Sequence, residues 1–263
     1  MAEAYQALRV ERAEGVLTLT LDRPDVLNSF DALLKRELLA ALTGAGRERD
    51  VRALVITGAG RAFSAGQDLR ERDETGGAVD LAKTLRRDYN PIILALRRLE
   101  KPVVAAVNGV AAGAGFSLAL ACDIRLAAEG ASFIAAFGRV GLVPDSGMSW
   151  FLPRLVGPGR AAEIVFTAEP VDAATAERIG LVNRVLPAEQ LLPEAQALAG
   201  RLAAGAPLAL ALAKRGLDRA QRSDLTAALE YEAQLQGIAG RSKDHAEGTA
   251  AFREKRPPRF SGE

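Results

Sequence analysis

The chain has very little of two residue types on which several enzyme classes depend. Of its 263 residues, one is cysteine, Cys122, and one is histidine, His245. A single cysteine cannot form an intrachain disulfide, which is typical of proteins from reducing compartments. A serine–histidine–aspartate triad, a cysteine–histidine pair or a histidine-containing metal site would each have to use His245. The composition therefore argues against most hydrolase and zinc chemistries, and we expect no metal site.

Long apolar runs and an excess of one charge are missing as well. No apolar run reaches the ~18 residues of a membrane span, and residues 1–4 lack the basic and then apolar pattern of a signal peptide. The 34 basic and 33 acidic residues give a net charge of +1, so no broad basic face for nucleic acid is expected. The sequence predicts a cytoplasmic protein with neither a membrane nor a nucleic-acid partner. Cys122 lies in the apolar run 118–122 and is predicted to be a buried structural side chain.

Short apolar runs alternate with amphipathic stretches in the first half of the chain. Strands are predicted at residues 8–10, 16–21, 53–57, 103–107 and 124–127. A helix capped by Ser29 or Asp31 is expected to run to about Ala45, and another to about Leu99, with Pro91 kinking or restarting it. Strands that alternate with helices predict an α/β fold with buried, partly parallel strands.

The pattern changes after about Ser146 to a succession of helices. Interruptions are predicted at Pro153, residues 157–159 and Pro207, and one short strand is predicted at 181–185. Between the first two helical stretches, residues 70–77 are polar, contain glycine and are predicted to form a mobile loop. We therefore expect an α/β core over residues 1–200 and a helical region over 201–263.

Three glycine-containing segments stand out: AFSAGQDL at 62–69, NGVAAGAG at 108–115 and GLVPDSG at 141–147. The second lacks both the ending of a Walker motif and the G-x-G-x-x-G spacing. Small residues before a helix allow a backbone N–H to approach an anionic oxygen closely. Two such donors could form an oxyanion hole for a thioester enolate. Tight turns and close helix packing require the same residue types, so the local pattern leaves both interpretations open.

In this order and spacing, the three segments resemble the crotonase superfamily of enoyl-CoA hydratases and isomerases. The resemblance extends over nearly the whole chain, from LDRP at 21–24 to the tail at 242–260. It implies a crotonase-like (ClpP/crotonase) fold, a spiral core of repeated ββα units with a helical C-terminal oligomerisation region. It implies an acyl-CoA substrate, in which coenzyme A is part of the substrate and no cofactor is required. A homotrimer or a dimer of trimers is also implied.

The resemblance assigns roles to individual positions. The two oxyanion-hole N–H groups are implied to belong to Gln67 and Ala114, and both are backbone groups. The positions implied to contact the substrate or coenzyme A are Arg23, Leu27, Ala65, Asp68, Leu69, Gly113, Lys255 and Phe260, the last two from a neighbouring subunit. For Arg23 the residues alone leave a second interpretation open, a solvated surface charge.

The catalytic carboxylates of this family's hydratases fall on other residue types here. The two glutamate positions correspond to Ser117 and Phe137, neither of which can act as a carboxylate. Asp145 instead matches the acid/base or nucleophilic aspartate of several isomerases and a dehalogenase. Locally, Asp145 could equally be a helix N-cap. Apolar surroundings would raise its pKa and a helix N-terminus would lower it, and the sequence leaves that balance open. A dehalogenase would also need a histidine, and His245 is distant in sequence.

The nearest resemblance within the family is to ring 1,2-epoxyphenylacetyl-CoA isomerases. It depends on VAAGAG at 110–115, LVPDSG at 142–147 and WFLPR at 150–154, with Met148 where glycine is usual. It implies conversion of a ring epoxide to an oxepin in phenylacetate catabolism, with Asp145 as acid/base. The alternatives are an enoyl-CoA hydratase of β-oxidation and a non-catalytic or RNA-binding relative. Trp150 and Phe151 are expected to form either a helix packing face or part of an aromatic site.

Overall fold

The computed structural model describes residues 5–70 and 80–263. The strands are β1 (Leu8–Ala13), β2 (Val16–Leu21), β3 (Ala53–Gly58), β4 (Ala62–Ser64), β5 (Val103–Val107), β6 (Val110–Ala112), β7 (Ile124–Ala128), β8 (Ser132–Ile134), β9 (Val171–Asp172) and β10 (Arg184–Leu186). The helices are α1 (Ala32–Arg47), α2 (Leu81–Thr84), α3 (Asn90–Arg98), α4 (Ala114–Ala121), α5 (Met148–Val156), α6 (Pro158–Thr167), α7 (Ala173–Arg178), α8 (Ala188–Ala203), α9 (Pro207–Ala220), α10 (Leu225–Ala239) and α11 (Lys243–Glu254). The loop predicted over 70–77 lies, except for Arg70, outside the described residues.

The larger sheet has six strands in the order β1-β2-β3-β5-β7-β10. The hairpin β1–β2 is antiparallel and turns at Glu14 and Gly15, which have φ angles of 49° and 79°. The other pairs are parallel. Every residue of β2, β3 and β5 is buried, because both faces of this sheet are covered. The prediction of buried, largely parallel strands is confirmed.

A second sheet of four short strands has the order β4-β6-β8-β9. Each of β4, β6 and β8 directly follows a strand of the larger sheet, and helical segments come next in the chain. The chain therefore repeats a ββα unit, and the predicted crotonase-like fold class is confirmed. Val110–Ala112 forms the strand β6, which is not among the strands predicted from the sequence. Three small apolar residues show no alternation of apolar and polar side chains that would indicate a strand. The strands that pair with them, β4 and β8, are distant in sequence.

Alternate residues of β3 enter two separate apolar cores. Leu54 and Ile56 belong to the larger core, which also contains the buried face of α1, while Ala53 and Val55 belong to a smaller one. The smaller core is closed by α8 through residues spaced four apart, Leu191, Ala195, Ala199 and Ala203. The predicted boundary at residue 200 thus falls inside a helix that covers the sheet, and the division into two regions stays a prediction.

Several predicted helix boundaries are confirmed, and others need correction. Asp31 caps α1 by accepting a hydrogen bond from the N–H of Leu34, and Pro91 lies in the first turn of α3. Pro153 was predicted to interrupt the helices, but it lies inside α5. The buried residues of α5 stabilise this helix despite the proline. The last strand of the larger sheet runs from Arg184 to Leu186 rather than over 181–185.

Cys122 confirms the structural role predicted for it. The thiol is buried and lies 3.4 Å from the carbonyl oxygen of Leu118. Burial raises its pKa to about 12, so it stays a thiol at neutral pH. No single helix among the described residues is long and apolar enough to cross a membrane, although α8 and α9 pass that test as a pair bent by 106°.

Helix α9 is attached to the core by a buried network of charges. The Nζ of Lys214 donates to Asp123 Oδ2 at 2.8 Å and to the carbonyl oxygens of Leu96 and Lys101 at 3.1 Å. Asp123 also accepts from Nη1 of Arg97 at 2.9 Å. This ammonium is nearly buried and fully hydrogen-bonded. Removing it takes one charged donor from Asp123, which keeps Arg97, and leaves the carbonyls of Leu96 and Lys101 without this donor.

Replacing Lys214 by alanine should lower the free energy of unfolding by about 3 kcal/mol, since a nearly buried ammonium and its hydrogen bonds to Asp123 and two carbonyls would be lost. The neighbouring substitution Arg215→Ala is the matched control. Arg215 forms an exposed ion pair with Glu100 at 3.2 Å, so its loss should cost less than about 1 kcal/mol. Urea unfolding of the two variants measures the difference, and equal losses would contradict it.

Candidate active site

The first two glycine-containing segments meet at Gly66. This residue has a φ angle of 91°, and a Cβ there would lie 2.8 Å from the carbonyl oxygen of Ala112 and 3.3 Å from the nitrogen of Ala114. Glycine is therefore required by both the backbone angle and the close approach. Gln67 follows directly, and Ala114 is the first residue of α4, where an N–H has no intrahelical acceptor. The structure thus brings the neighbourhoods of the two predicted oxyanion-hole residues together.

Helix α4 packs directly on β4. A Cβ at Gly115 would lie 2.4 Å from the carbonyl oxygen of Ser64, a distance that no side chain could tolerate. The hydroxyl of Ser64 in turn donates to the carbonyl of Asn28 at 2.8 Å and accepts from the N–H of Gly66 at 3.2 Å. The small residues therefore allow close packing and also place a helix N-terminus beside Gly66. Close packing and the predicted oxyanion hole are thus compatible with each other.

The side chain of Gln67 is fixed on several sides. Its Oε1 accepts a very short hydrogen bond from the hydroxyl of Tyr89 and a longer one, 3.4 Å, from Nζ of Lys35. Its Nε2 donates to the carbonyl of Asp68 at 3.1 Å, and its backbone forms a parallel bridge with Phe30. The peptide predicted to supply one oxyanion-hole donor is therefore held in a set orientation, which is what electrostatic stabilisation requires.

The early stretch predicted to contact coenzyme A is tied to the same place. Leu27 and Asn28 both have φ angles of 54°, and the N–H of Ala65 donates to the carbonyl of Leu27 at 2.9 Å. Asn28 is fully buried, and its amide donates to the carbonyls of Ala59 and Ala62 at 2.9 and 2.7 Å. Leu27 and Ala65 thus lie side by side, and their contact with coenzyme A stays a prediction.

Arg23 and Asp68 form the charged edge of the site. Nη2 of Arg23 lies 3.0 Å from Asp31 and 3.1 Å from Asp68, and its side chain is 19% exposed. The alternative of a solvated surface charge is therefore wrong. Hydrogen bonds from Arg70 are the main reason why the pKa of Asp68 falls to about 2, with Arg23 contributing. Leu69, which follows, is 53% exposed.

Asp145 is joined to α4 through its backbone. Its carbonyl accepts hydrogen bonds from the hydroxyl of Ser117 and the N–H of Met148, each at 3.0 Å. Ser117 is fully buried and lies one turn after Ala114. The N-cap of α5 is Gly147, so the N-cap interpretation of Asp145 is wrong. All three segments therefore converge, and the two hydratase positions lie with them.

The carboxyl of Asp145 is half-buried, and burial raises its pKa. The hydroxyl of Ser146, which donates to Oδ1 at 2.8 Å, opposes the shift. The balance that the sequence left open thus favours a raised pKa. Phe137, the other hydratase position, is buried, and its Cζ lies 4.0 Å from where a Cβ of Gly113 would be. An apolar ring therefore occupies the position at which the resemblance implies the second hydratase glutamate.

Two predicted contacts lie elsewhere in this chain. The carbonyl of Phe260 accepts a hydrogen bond of 3.0 Å from Arg52, which directly precedes β3, whereas the site follows the other end of that strand. Lys255 ends α11 and is exposed. His245 is exposed in the first turn of the same helix, so this chain alone does not form an aspartate–histidine pair with Asp145. Contacts from a neighbouring subunit by Lys255 and Phe260 stay a prediction.

The aromatic residues of α5 mainly serve packing. The guanidinium of Arg154 lies 3.3 Å from the ring centre of Trp150, and Phe151 packs against Gly147 and the guanidinium of Arg97. Met148 is fully buried in the larger core. Cavities of about 480 and 600 Å³ lie between α9 and the core rather than beside Asp145. In the described ranges 5–70 and 80–263, no cluster of three metal-ligating side chains occurs.

Sequence reasoning missed the polar contacts that hold the site. The hydroxyl of Ser146 could have been found from its position beside Asp145. The bond from Ser117 to Asp145 spans 28 residues, and that from Tyr89 to Gln67 spans 22. Neither has a local signal, because both depend on how separate ββα units pack.

A family model described as enoyl-CoA hydratase/isomerase matches residues 11–263. The chain belongs to this family. It is 44% identical over 259 residues to a probable enoyl-CoA hydratase of Rhodobacter capsulatus, covering 98% of this chain and 99% of that protein. It is also 44% identical over 251 residues to the 1,2-epoxyphenylacetyl-CoA isomerase of Escherichia coli, covering 95% and 96%. A crystal structure of an enoyl-CoA hydratase from Bacillus anthracis superposes with a TM-score of 0.94 at 36% identity, covering 98% and 100%. The chain is thus an enzyme of the crotonase superfamily.

Replacing Gly66 by alanine should disrupt the contact between the first two segments. An L-residue at this φ angle, with its Cβ against Ala112, should cost about 2–3 kcal/mol of stability or force the two backbones apart. Gly159→Ala is the matched control, since a Cβ there meets nothing within 4 Å and lies in a helix, where alanine is favoured. Urea unfolding should separate the two variants, and equal stability would refute the argument.

Asp145→Asn should make the protein more stable at neutral pH. Because the folded pKa of Asp145 is raised, the folded state keeps a proton that the unfolded chain loses above pH ~4, and the free energy of unfolding falls as pH rises through that window. Asparagine does not titrate, so this fall in the free energy of unfolding is absent from the variant. The stability advantage of the variant over the wild type should disappear below pH ~4. Asp172→Asn is the control with the opposite sign, since hydrogen bonds from Thr175 lower the pKa of Asp172. Unfolding curves at several pH values test both.

Proposed function

We propose that the protein is an acyl-CoA isomerase with Asp145 as its proton carrier, and that its substrate is ring 1,2-epoxyphenylacetyl-CoA, converted to the oxepin in phenylacetate catabolism. The observation that carries this proposal is the set of residues converging on α4. Asp145 is the carboxylate there, and the two hydratase glutamate positions hold Ser117 and Phe137. Coenzyme A belongs to the substrate, so the proposal needs no cofactor.

The proposed mechanism uses the N–H groups of Gln67 and Ala114 on the thioester oxygen. In a double-bond shift, the carboxylate of Asp145 takes a proton from one carbon, and the negative charge moves to the thioester oxygen. The two N–H groups stabilise that enolate oxygen. The protonated carboxyl then returns the proton to a carbon further along the acyl chain. Since burial raises the pKa of Asp145, its two protonation states lie closer in free energy near neutral pH, which suits a group that both accepts and donates.

The same site supports a proposed path for coenzyme A. Leu27 is hydrogen-bonded to Ala65, Asp68 follows three residues later, and Gly113 leads into α4. Arg23 is already bonded to two carboxylates, so a phosphate would have to share it with them. Lys255 and Phe260 would reach the substrate from a neighbouring subunit of a trimer or dimer of trimers. A cytoplasmic location completes the proposal.

A hydratase is the second candidate, because a relative named as an enoyl-CoA hydratase is as similar as the isomerase. Water addition by two glutamates needs carboxylates at residues 117 and 137. The hydroxyl of Ser117 is committed to Asp145, and Phe137 offers only an apolar ring. Hydration would therefore need other groups. A non-catalytic RNA-binding role has the weakest support, since the net charge is +1.

Turnover of a panel of CoA esters tests the proposal. The wild-type protein should isomerise the phenylacetyl ring epoxide and a 3-enoyl ester, and it should hydrate crotonyl-CoA poorly. Asp145→Asn should bind the esters but lose at least about 100-fold in kcat, because a general acid/base contributes about that much. The control is Asp50→Asn, an exposed residue just before β3. Near-normal turnover by Asp145→Asn, or rapid hydration with no isomerisation, would contradict the proposal. Salt-sensitive RNA binding without thioester chemistry would favour the third candidate.

A further inference from the structure

Asp145 is followed by two residues in unusual backbone conformations. Ser146 has a φ angle of 51° and Gly147 one of 87°. At Gly147 a Cβ would lie 2.6 Å from the ring of Phe151, so glycine fits there for steric reasons. Ser146 has no such reason. A serine in the left-handed region costs about 1 kcal/mol or more relative to glycine, which points to a use for its side chain.

That side chain binds the carboxylate next to it. The hydroxyl of Ser146 donates to Oδ1 of Asp145 at 2.8 Å, and the serine is only 4% exposed. The donor is thus shielded from water, where a hydrogen bond to a charged group is strongest. Among the residues that the structure describes, Oδ2 has no such donor.

The backbone of Asp145 is fixed separately. Ser117 and the N–H of Met148 both bind its carbonyl oxygen. With the main chain held, the two side-chain torsions of Asp145 still decide where its carboxylate points. The bond from Ser146 to Oδ1 restricts both torsions and leaves Oδ2 as the oxygen for proton exchange.

We infer that Ser146 is a positioning residue that holds the carboxylate of Asp145 in one rotamer and stabilises its ionised form for proton removal. The inference rests on the proposed function of Asp145. It adds that two opposing effects set the basicity of the carboxylate: the apolar surroundings increase it, and the hydrogen bond from the serine hydroxyl decreases it. Burial raises the pKa of Asp145, and Ser146 keeps it from rising further.

Two substitutions separate the hydroxyl from the backbone strain. Ser146→Ala removes the hydroxyl and keeps the strained angle, whereas Ser146→Gly removes both the hydroxyl and the strain. Both variants should lose on the order of tenfold in kcat, with KM little changed, since the reacting group is less well placed. In both, the acidic limb of the kcat/KM profile should move to higher pH, because the carboxylate has lost a donor. Ser223→Ala is the control, a partly exposed serine whose hydroxyl donates to the carbonyl of Arg219.

Titration of the carboxyl of Asp145 by NMR, with carbon-13-labelled aspartate and Asp145→Asn for assignment, gives a readout without turnover. An upward shift in both Ser146 variants supports the inference, even if the wild-type protein isomerises no ester and the proposed function fails. If Ser146→Gly keeps the wild-type rate and titration, the residue serves only the backbone and the inference is overturned. Unchanged titration in both variants of an active enzyme would overturn it as well.

Discussion

The close approach of Gly66 to the backbone of Ala112 and Ala114 is the contact on which the site depends. It joins the end of one ββα unit to the beginning of the helix in the next, at a distance that admits no side chain. Because the strands β4 and β6 are paired at this point, the two peptides cannot move independently. Electrostatic stabilisation of an oxyanion requires donors that are in place before charge develops. The fold meets that requirement by backbone packing, so the donors can be amides of ordinary residues.

The same helix also decides which acid the site can use. Ser117 lies one turn after Ala114, is fully buried and binds the carbonyl of Asp145. A glutamate at residue 117 would fill this space and remove the hydroxyl that anchors Asp145. Under the proposed function, Ser117 thus favours Asp145 over an arrangement of two glutamates. Phe137 supplies no carboxylate either, and its ring lies near Gly113.

Much of the fold could be predicted from local patterns. The buried run of β2 and the cap of α1 each depend on a few adjacent residues. The strand was correctly predicted, and Asp31 is one of the two caps that the sequence offered. The three-residue strand β6 was missed because its pairing is with strands distant in sequence. The candidate site residues came from family resemblance. The hydrogen bonds from Ser117 to Asp145 and from Tyr89 to Gln67, which hold these residues, were found only in the structure. Each bond joins residues of different units of the spiral.

The segment after Asp145 shows why so much structure surrounds one carboxyl. The backbone is strained at Ser146, and the carboxyl of Asp145 is partly removed from water. The folded state is therefore less stable than it would be with an uncharged residue at position 145. Met148 and Leu152, both fully buried in α5, compensate by fixing the helix that follows. A single carboxylate that moves a proton between two carbons must reach both from nearly one position. A flexible loop would spend most of its time out of reach. We therefore argue that, under the proposed function, the strain and the buried anchor together allow one aspartate to perform both steps.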